Sequence, residues 1–190
     1  NFPRAPIAAR EGLHAAFGFP ILLGAEVLGV LEFFSRKSRR PDEELLELLA
    51  TAGSQIGQFV ERRRAEDELA TLFETSRDLL GVVGFDGYLR RLNPAWERTL
   101  GFTPEELRAR PFMHFVHPDD RQAVRAQAAK VAAGSSAVLF ENRYRCKDGS
   151  YRWLSWNITP LSEEGLSYGS ARHVTEQKQA SQYARSLIEA

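Results

Sequence analysis

The chain has 190 residues, 43% of them hydrophobic and 26% charged, the balance of a soluble globular chain with a packed core. Lysine plus arginine equals aspartate plus glutamate at 25 each, so bulk charge makes no case for nucleic acid or a membrane surface as partner. One cysteine excludes an internal disulfide and a thiolate metal site. The apolar run 17–34 is broken by Gly24, Glu26, Gly29 and Glu32, residues 1–20 lack a signal-peptide core, and a cytoplasmic chain is expected.

In chain order, residues 14–23 and 26–34 read as two strands joined at Gly24-Ala25. Residues 35–40 form a basic loop. Pro41-Asp42-Glu43-Glu44 then supplies a helix start, with proline first and carboxylates at the positive end of the dipole. Leu45, Leu49, Ala52, Ile56 and Phe59 repeat with 4-3-4-3 spacing, the seam of a coiled coil. The register continues into Arg63 and Glu66, where the seam turns polar, and apolar positions resume at Leu69, Leu72 and Phe73. Gly53 and Gly57 each weaken such a helix by roughly 1 kcal/mol relative to alanine. Unbroken over 42–76, it would span about 50 Å. Two readings stand side by side: an amphipathic helix covering its own strand pair, or a connector between two domains, which also accounts for the charged continuation past Glu61.

From Leu79 the texture changes. Residues 79–85 and 88–92 are strands around an Asp86-Gly87 turn, and Thr103-Pro104-Glu105-Glu106 is a capping box with proline at the first helical position. Pro118-Asp119-Asp120 starts a helix whose face carries Val124 and Val131 and which Gly134-Ser135-Ser136 closes. Strands follow at 137–146, 151–160 and 166–174. The order predicts an α+β domain with helices on one side of a five-stranded antiparallel sheet. A last helix, 175–190, carries the stripe Ala180, Tyr183, Ala184, Leu187 and Ile188 with no terminating glycine or proline, as expected of a piece of a longer protein.

The hairpin 143–158 turns at Lys147-Asp148-Gly149-Ser150, where Asp-Gly tolerates the positive φ of tight turns. Alternation puts Phe140, Asn142, Tyr144, Cys146, Leu154, Trp156 and Ile158 on one face, joined by Ser167, Gly169 and Ala171 from the last strand. That face is apolar with an amide and a phenol, and its small residues leave room. Two readings are open: a small-molecule pocket with a few placed polar groups, or a filled core in which Asn142 bonds backbone and Tyr144 reaches solvent. Trp153 points the other way, beside Ser155, Asn157 and Tyr168. It is a candidate contact anchor, expected on the incoming helix or on a second subunit.

Several of these motifs form a known pattern. Asn93-Pro94-Ala95-Trp96, Leu100 to Leu107, Val116-His117-Pro118-Asp119-Asp120-Arg121 and Lys147-Asp148-Gly149-Ser150-Tyr151-Arg152-Trp153 resemble, in this order, a PAS domain of bacterial sensor proteins with a PAC-type C-terminal hairpin. The family's closing Asp-Ile-Thr reads His173-Val174-Thr175 here, which puts the aspartate's role in doubt while Thr175 keeps a helix-capping hydroxyl. Residues 1–63 resemble the C-terminal half of a GAF domain with its exit helix, without support for cyclic-nucleotide binding. The resemblance implies a helical linker at 64–76, a PAS domain at 77–178 and the start of a signalling helix at 179–190.

What the resemblance implies for function is a non-catalytic sensory and transmitting segment of a histidine kinase or diguanylate cyclase. It would act as a homodimer, with the output domain downstream in the same chain and neither nucleic acid nor membrane as partner. Asn142, Tyr144, Trp156, Leu154, Ile158, Phe112 and Trp96 are the candidate ligand wall. Trp153, Leu49, Ile56, Phe59, His173 and Thr175 are the candidate dimer and relay residues. No Gly-rich phosphate loop, metal-spaced cluster or nucleophile motif is present, and no cofactor or metal is predicted. Two other sensor chemistries remain as alternatives. His114 and His117 are candidates for haem ligation, against the reading that His117 makes a local bond in its turn. A covalent flavin photocycle needs a cysteine near residue 112, where this chain has Arg110-Pro111-Phe112-Met113. A third alternative is a ligand-free dimerisation module. Cys146 reads as a small buried hydrophobe or a redox sensor.

Overall fold

The computed structural model describes residues 5–38 and 43–189. The chain divides into two compact units, residues 1–69 and 70–190.

In the first unit a short helix α1 (Ala5–Arg10), which no spacing pattern marks, precedes strands β1 (Ala15–Leu23) and β2 (Glu26–Ser35). The strands pair antiparallel from Ala15↔Ser35 to Leu23↔Glu26, with a register shift at Ile21/Leu22. Phe17 stacks on Phe33 at 5.2 Å between ring centroids. Helix α2 runs Glu43–Thr75 without a break. The expected proline start at Pro41-Asp42 and the end of the basic loop lie outside the described residues.

The face of α2 that meets the strand pair is the glycine face. Gly53 and Gly57 are its buried residues. A Cβ on Gly53 would fall 2.5 Å from the Pro20 carbonyl oxygen, and one on Gly57 would fall 2.0 Å from that of Leu22. These glycines let backbone approach backbone, which offsets their poor helix propensity. The heptad seam is turned elsewhere: Leu49 is half-buried, while Ile56 is 36% and Phe59 60% exposed. The helix therefore covers its own strands with one face and leaves most of the coiled-coil seam open on another. Beyond it, Arg62 Nε donates to Glu66 Oε1 at 2.9 Å, a solvent-exposed i,i+4 pair.

The second unit is built on a five-stranded antiparallel sheet ordered β4-β3-β7-β6-β5. Its strands are β3 (Leu79–Gly84), β4 (Leu89–Leu92), β5 (Ala137–Arg145), β6 (Tyr151–Leu161) and β7 (Leu166–His173). Between β4 and β5 lie α3 (Ala95–Leu100), α4 (Pro104–Arg108), a 3-10 turn Phe112–His114 and α5 (Arg121–Ala132), while α6 (Thr175–Glu189) ends the unit. The capping box forms as expected: Thr103 Oγ1 accepts from Glu106 N–H, and Glu106 accepts from Thr103 N–H. Lys147 in the β5–β6 turn then pairs with Glu106 at 2.7 Å, tying turn to helix. Only Gly149 of the Asp-Gly pair takes positive φ, at 87°, and Asp148 Oδ1 instead accepts from Ser150 N–H and Oγ. The turn is thus a longer loop with one left-handed residue, not a two-residue turn.

The core lies between the sheet and its helices, with Trp96, Leu100, Leu107, Phe115, Leu79 and Leu154 almost fully buried. Val124 and Val131 are the buried residues of α5, as their spacing predicts. Strand β5 alternates as expected, burying Asn142 and Tyr144 while Glu141 stays exposed. Among the described residues, no helix is long and apolar enough to cross a membrane.

Candidate ligand-binding site

A cavity of about 110 Å³ opens between the inner face of the sheet and α5. A single water needs roughly 10–15 Å³ by this measure, so there is space for several waters or a small organic molecule. The sheet contributes Phe140, Asn142, Tyr144, Trp156 and Ile158, and the small residues Ser167 and Gly169 of β7 form part of the floor. Trp96 comes from α3, Phe112 from the 3-10 turn, and Val124, Gln127, Ala128 and Val131 from α5. Every residue expected in the ligand wall is there except Leu154. That side chain is wholly buried in the core cluster, as is Ala171, and neither reaches the cavity. Gln127 was not anticipated, because a polar residue on a helix with no partner strand in sequence carries no periodic signal.

The wall contains no charged side chain. Its polar groups are few, and two of them are orphaned: Asn142 Nδ2 and Trp156 Nε1 are buried with no hydrogen-bond partner. Asn142 therefore does not bond a neighbouring backbone through its amide nitrogen, and Tyr144 does not reach solvent, being 4% exposed. Burial pushes the Tyr144 phenol well above its ordinary value of 10.0, so it stays neutral. Trp96, Tyr144 and Trp156 pack ring against ring at 5.4 to 6.2 Å between centroids. A buried donor left unpaired costs about 1–3 kcal/mol. Both donors belong to residues that line the void.

Two junctions join this sheet to helices. At the first, Asn93 is fully buried: its Oδ1 accepts from Leu80 N–H at 2.9 Å, and its Nδ2 donates to the carbonyls of Asp78 and Phe73 at 2.9 and 3.1 Å. Phe73 lies in the last turn of α2, so one side chain ties the end of that helix to β3. Arg91 stacks over the Phe73 ring at 4.3 Å, and Arg98 donates to Ser76 carbonyl at 2.9 Å. Asn93 stood in the motif without a role, since nothing local marks an asparagine as a three-way tie.

At the second junction, Thr175 Oγ1 accepts from Trp153 N–H in β6 at 2.8 Å and meets His173 Nε2 at 2.8 Å. This hydroxyl fastens the start of its helix to the sheet. Lys178 of α6 forms an ion pair with Glu141 and lies 5.3 Å from the Trp153 ring centroid, with Arg143 at the same distance. The helix that reaches Trp153 is thus the departing one, not the incoming one. Arg172, next to His173 on β7, pairs with Asp78 at 3.3 Å. Adjacent residues of one strand therefore touch the two junctions.

Residues 90–169 match a family model described as the PAS fold. The crystal structure of the PAS domain of an HTR-like protein from Haloarcula marismortui superposes with a TM-score of 0.53 at 23% identity, covering 61% of this chain and 97% of that one. Residues 70–190 have the PAS fold. Among curated proteins, the chain is 30% identical over 185 residues to the methyl sulfide methyltransferase-associated sensor of Methanosarcina acetivorans, and 23% identical over 128 residues to the sensor histidine kinase TmoS of Ectopseudomonas mendocina. It covers 92% and 65% of itself in these matches but spans only 18% and 13% of the two relatives.

The two candidate haem ligands stand outside the cavity wall. Neither His114 nor His117 lines the cavity. His117 Nδ1 accepts from Asp119 N–H at 3.2 Å, and its ring packs on Tyr151 at 4.5 Å, the local role its place before Pro118 suggests. Cys146 is buried at the end of β5, where its thiol meets Thr99 carbonyl at 3.9 Å, and it does not face the cavity. Among the described residues, no group of three His, Cys, Asp or Glu is arranged to hold a metal.

Proposed function

We propose that this chain is the sensory and transmitting segment of a sensor kinase, and that its PAS unit takes up a small uncharged molecule. The observation that carries the reading is the pair of orphaned donors, Asn142 Nδ2 and Trp156 Nε1, on residues that line a mostly apolar, uncharged cavity. An occupant matched to that wall is mostly apolar, fits against three aromatic rings and offers a hydrogen-bond acceptor such as a carbonyl or ether oxygen. A free carboxylate or phosphate would enter without a countercharge, which a low-dielectric site penalises heavily. Strand β6 carries Trp156 on the inner face, while its Trp153 N–H holds α6. Occupancy would shift β6 and β7 and so the two helix junctions, biasing α2 and α6 between packings that differ by a few kcal/mol. The open seam on α2 suits a second copy, in keeping with a homodimer, and the first unit fits the C-terminal half of a GAF domain.

The test is a binding screen of the purified chain against small neutral carbonyl and heteroaromatic compounds, read by thermal shift and by calorimetry. The Asn142→Leu variant should be at least as stable as the parent without ligand, because it removes an unpaired buried amide worth about 1–3 kcal/mol. It should bind its ligands at least about tenfold more weakly. A library without a single binder, together with an Asn142→Leu variant that is destabilised, would return the cavity to the status of a packing void.

A further inference from the structure

A second polar constellation lies outside the cavity and outside both junctions. Arg110, just ahead of the 3-10 turn, and Arg145, at the end of β5, both aim at one atom: Arg110 Nη1 and Arg145 Nη2 each lie 3.1 Å from His114 Nε2. A neutral imidazole nitrogen has a single lone pair in the ring plane, so it serves one of these donors well, not two. Arg145 Nε is in addition buried without a partner. Arg121, at the start of α5, adds a third positive charge near the ring, and its Nε donates to Val116 carbonyl at 3.2 Å.

Among the described residues, no carboxylate is paired with this group. Among the described residues, Arg110, Arg121 and Arg145 form no ion pair. The neighbouring acids are already engaged, Asp120 by Arg143 at 2.6 Å and Asp119 by Arg143 and His117 at 3.5 Å each. Two guanidiniums, from a loop and a strand, meet at one half-buried imidazole, and the charge of Arg121 on α5 acts on the same ring, in a chain whose total charge is zero. Like charges brought together at a partly buried place repel one another, and the arrangement is relieved by an anion between them.

We infer that Arg110, Arg121, Arg145 and His114 form a binding site for a phosphate-type oxyanion. A tetrahedral oxyanion with one to two negative charges presents enough acceptor oxygens for donors arriving from three directions, and the guanidinium fork matches phosphate geometry. A carboxylate, with two coplanar oxygens and one charge, would satisfy fewer of them. Phe112, two residues from His114 in the same 3-10 turn, lines the cavity. Anion occupancy would therefore brace the turn that forms one wall of the neutral-ligand site. The inference stands whether or not that cavity takes a ligand.

The ring of His114 supplies a readout. Its pKa is lowered by burial and by Arg110, Arg145 and Arg121, in that order. An anion among these groups favours the imidazolium and raises the pKa. The experiment is a titration of the purified chain with inorganic phosphate at constant ionic strength. Chloride and acetate serve as comparators, followed by thermal shift and by the His114 ring protons in NMR. Phosphate should stabilise saturably and raise the His114 pKa, acetate and chloride should do neither, and the exposed Arg125→Gln should behave as the parent. Arg145→Gln and Arg110→Gln should each weaken the phosphate response about tenfold or more. Arg110 is exposed, so its variant reports even if Arg145→Gln does not fold. A phosphate response matched by acetate, absent altogether, or unchanged in Arg110→Gln would overturn the assignment.

Discussion

His173 occupies a position where charge, burial and connectivity meet. It is half-buried, its Nε2 faces Thr175 Oγ1, and its pKa is lowered by burial first and by Arg152 second, with Glu176 opposing. A histidine whose folded pKa lies below its unfolded value binds fewer protons folded than unfolded. Its stability contribution is therefore complete above the ordinary value of 6.5 and declines as pH falls through that value. His114 has the same direction of shift and adds to the same slope. Urea midpoints measured from pH 8 down to 5 should fall on the acid side, and His173→Gln should flatten part of that fall. A variant whose profile superimposes on the parent's would remove His173 from the account. Among the aromatic residues, Trp156 and Trp153 show how alternation on one strand separates roles: one faces the cavity, the other lies between Arg143 and Lys178.

Two elements carry their weight at single contacts. In α2, glycines that lower helix propensity are what allow the helix to lie on β1. Gly57→Ala should favour an isolated helix by about 1 kcal/mol. In this chain the added methyl meets the Leu22 carbonyl, and the net effect should be a loss of about 1–3 kcal/mol by overpacking. Amide exchange in β1 and β2 should speed up accordingly; protection equal to the parent would mean that the close approach is dispensable. In α6, Thr175→Val keeps the shape of the side chain and removes the acceptor for Trp153 N–H. The expected cost is about 1–2 kcal/mol, with faster exchange confined to the first turn of α6 and to Trp153. If exchange changes instead throughout the sheet, the threonine supports the whole fold and not the helix junction.

At the scale of the whole molecule, α2 runs from Glu43 to Thr75 across the division between the units at Leu69/Ala70. It presents Ile56 and Phe59 to solvent in the first unit, and Asn93 holds its last turn in the second. An apolar seam on a helix of this length is the surface on which a second copy would pair. Light scattering across a concentration series should detect a dimer whose affinity drops at least about tenfold in Ile56→Asp/Phe59→Asp, with the melting of the PAS unit unchanged. A monomer at every concentration in the parent chain would remove the seam from the proposed relay.

The sequence alone determined the period-2 faces of β5 and β6, the capping box at Thr103–Glu106, the uninterrupted α2 and the order of the strands, because each of these rests on local spacing and backbone chemistry. It also named most of the cavity wall, since alternation fixes which side chains share a face of a sheet. Tertiary structure decided the rest. Leu154 drops out of the wall and Gln127 enters it because a cavity is bounded by what packs across from a face as well as by the face. The seam of α2 points away from its strands because only the glycine face permits the helix to approach their carbonyls. The roles of Asn93, Thr175 and the Arg110–His114–Arg145 group rest on partners distant in sequence, 20 residues from Asn93 to Phe73, 22 from Thr175 to Trp153 and 31 from His114 to Arg145. Spacing along a chain carries no record of such distances until the fold closes them.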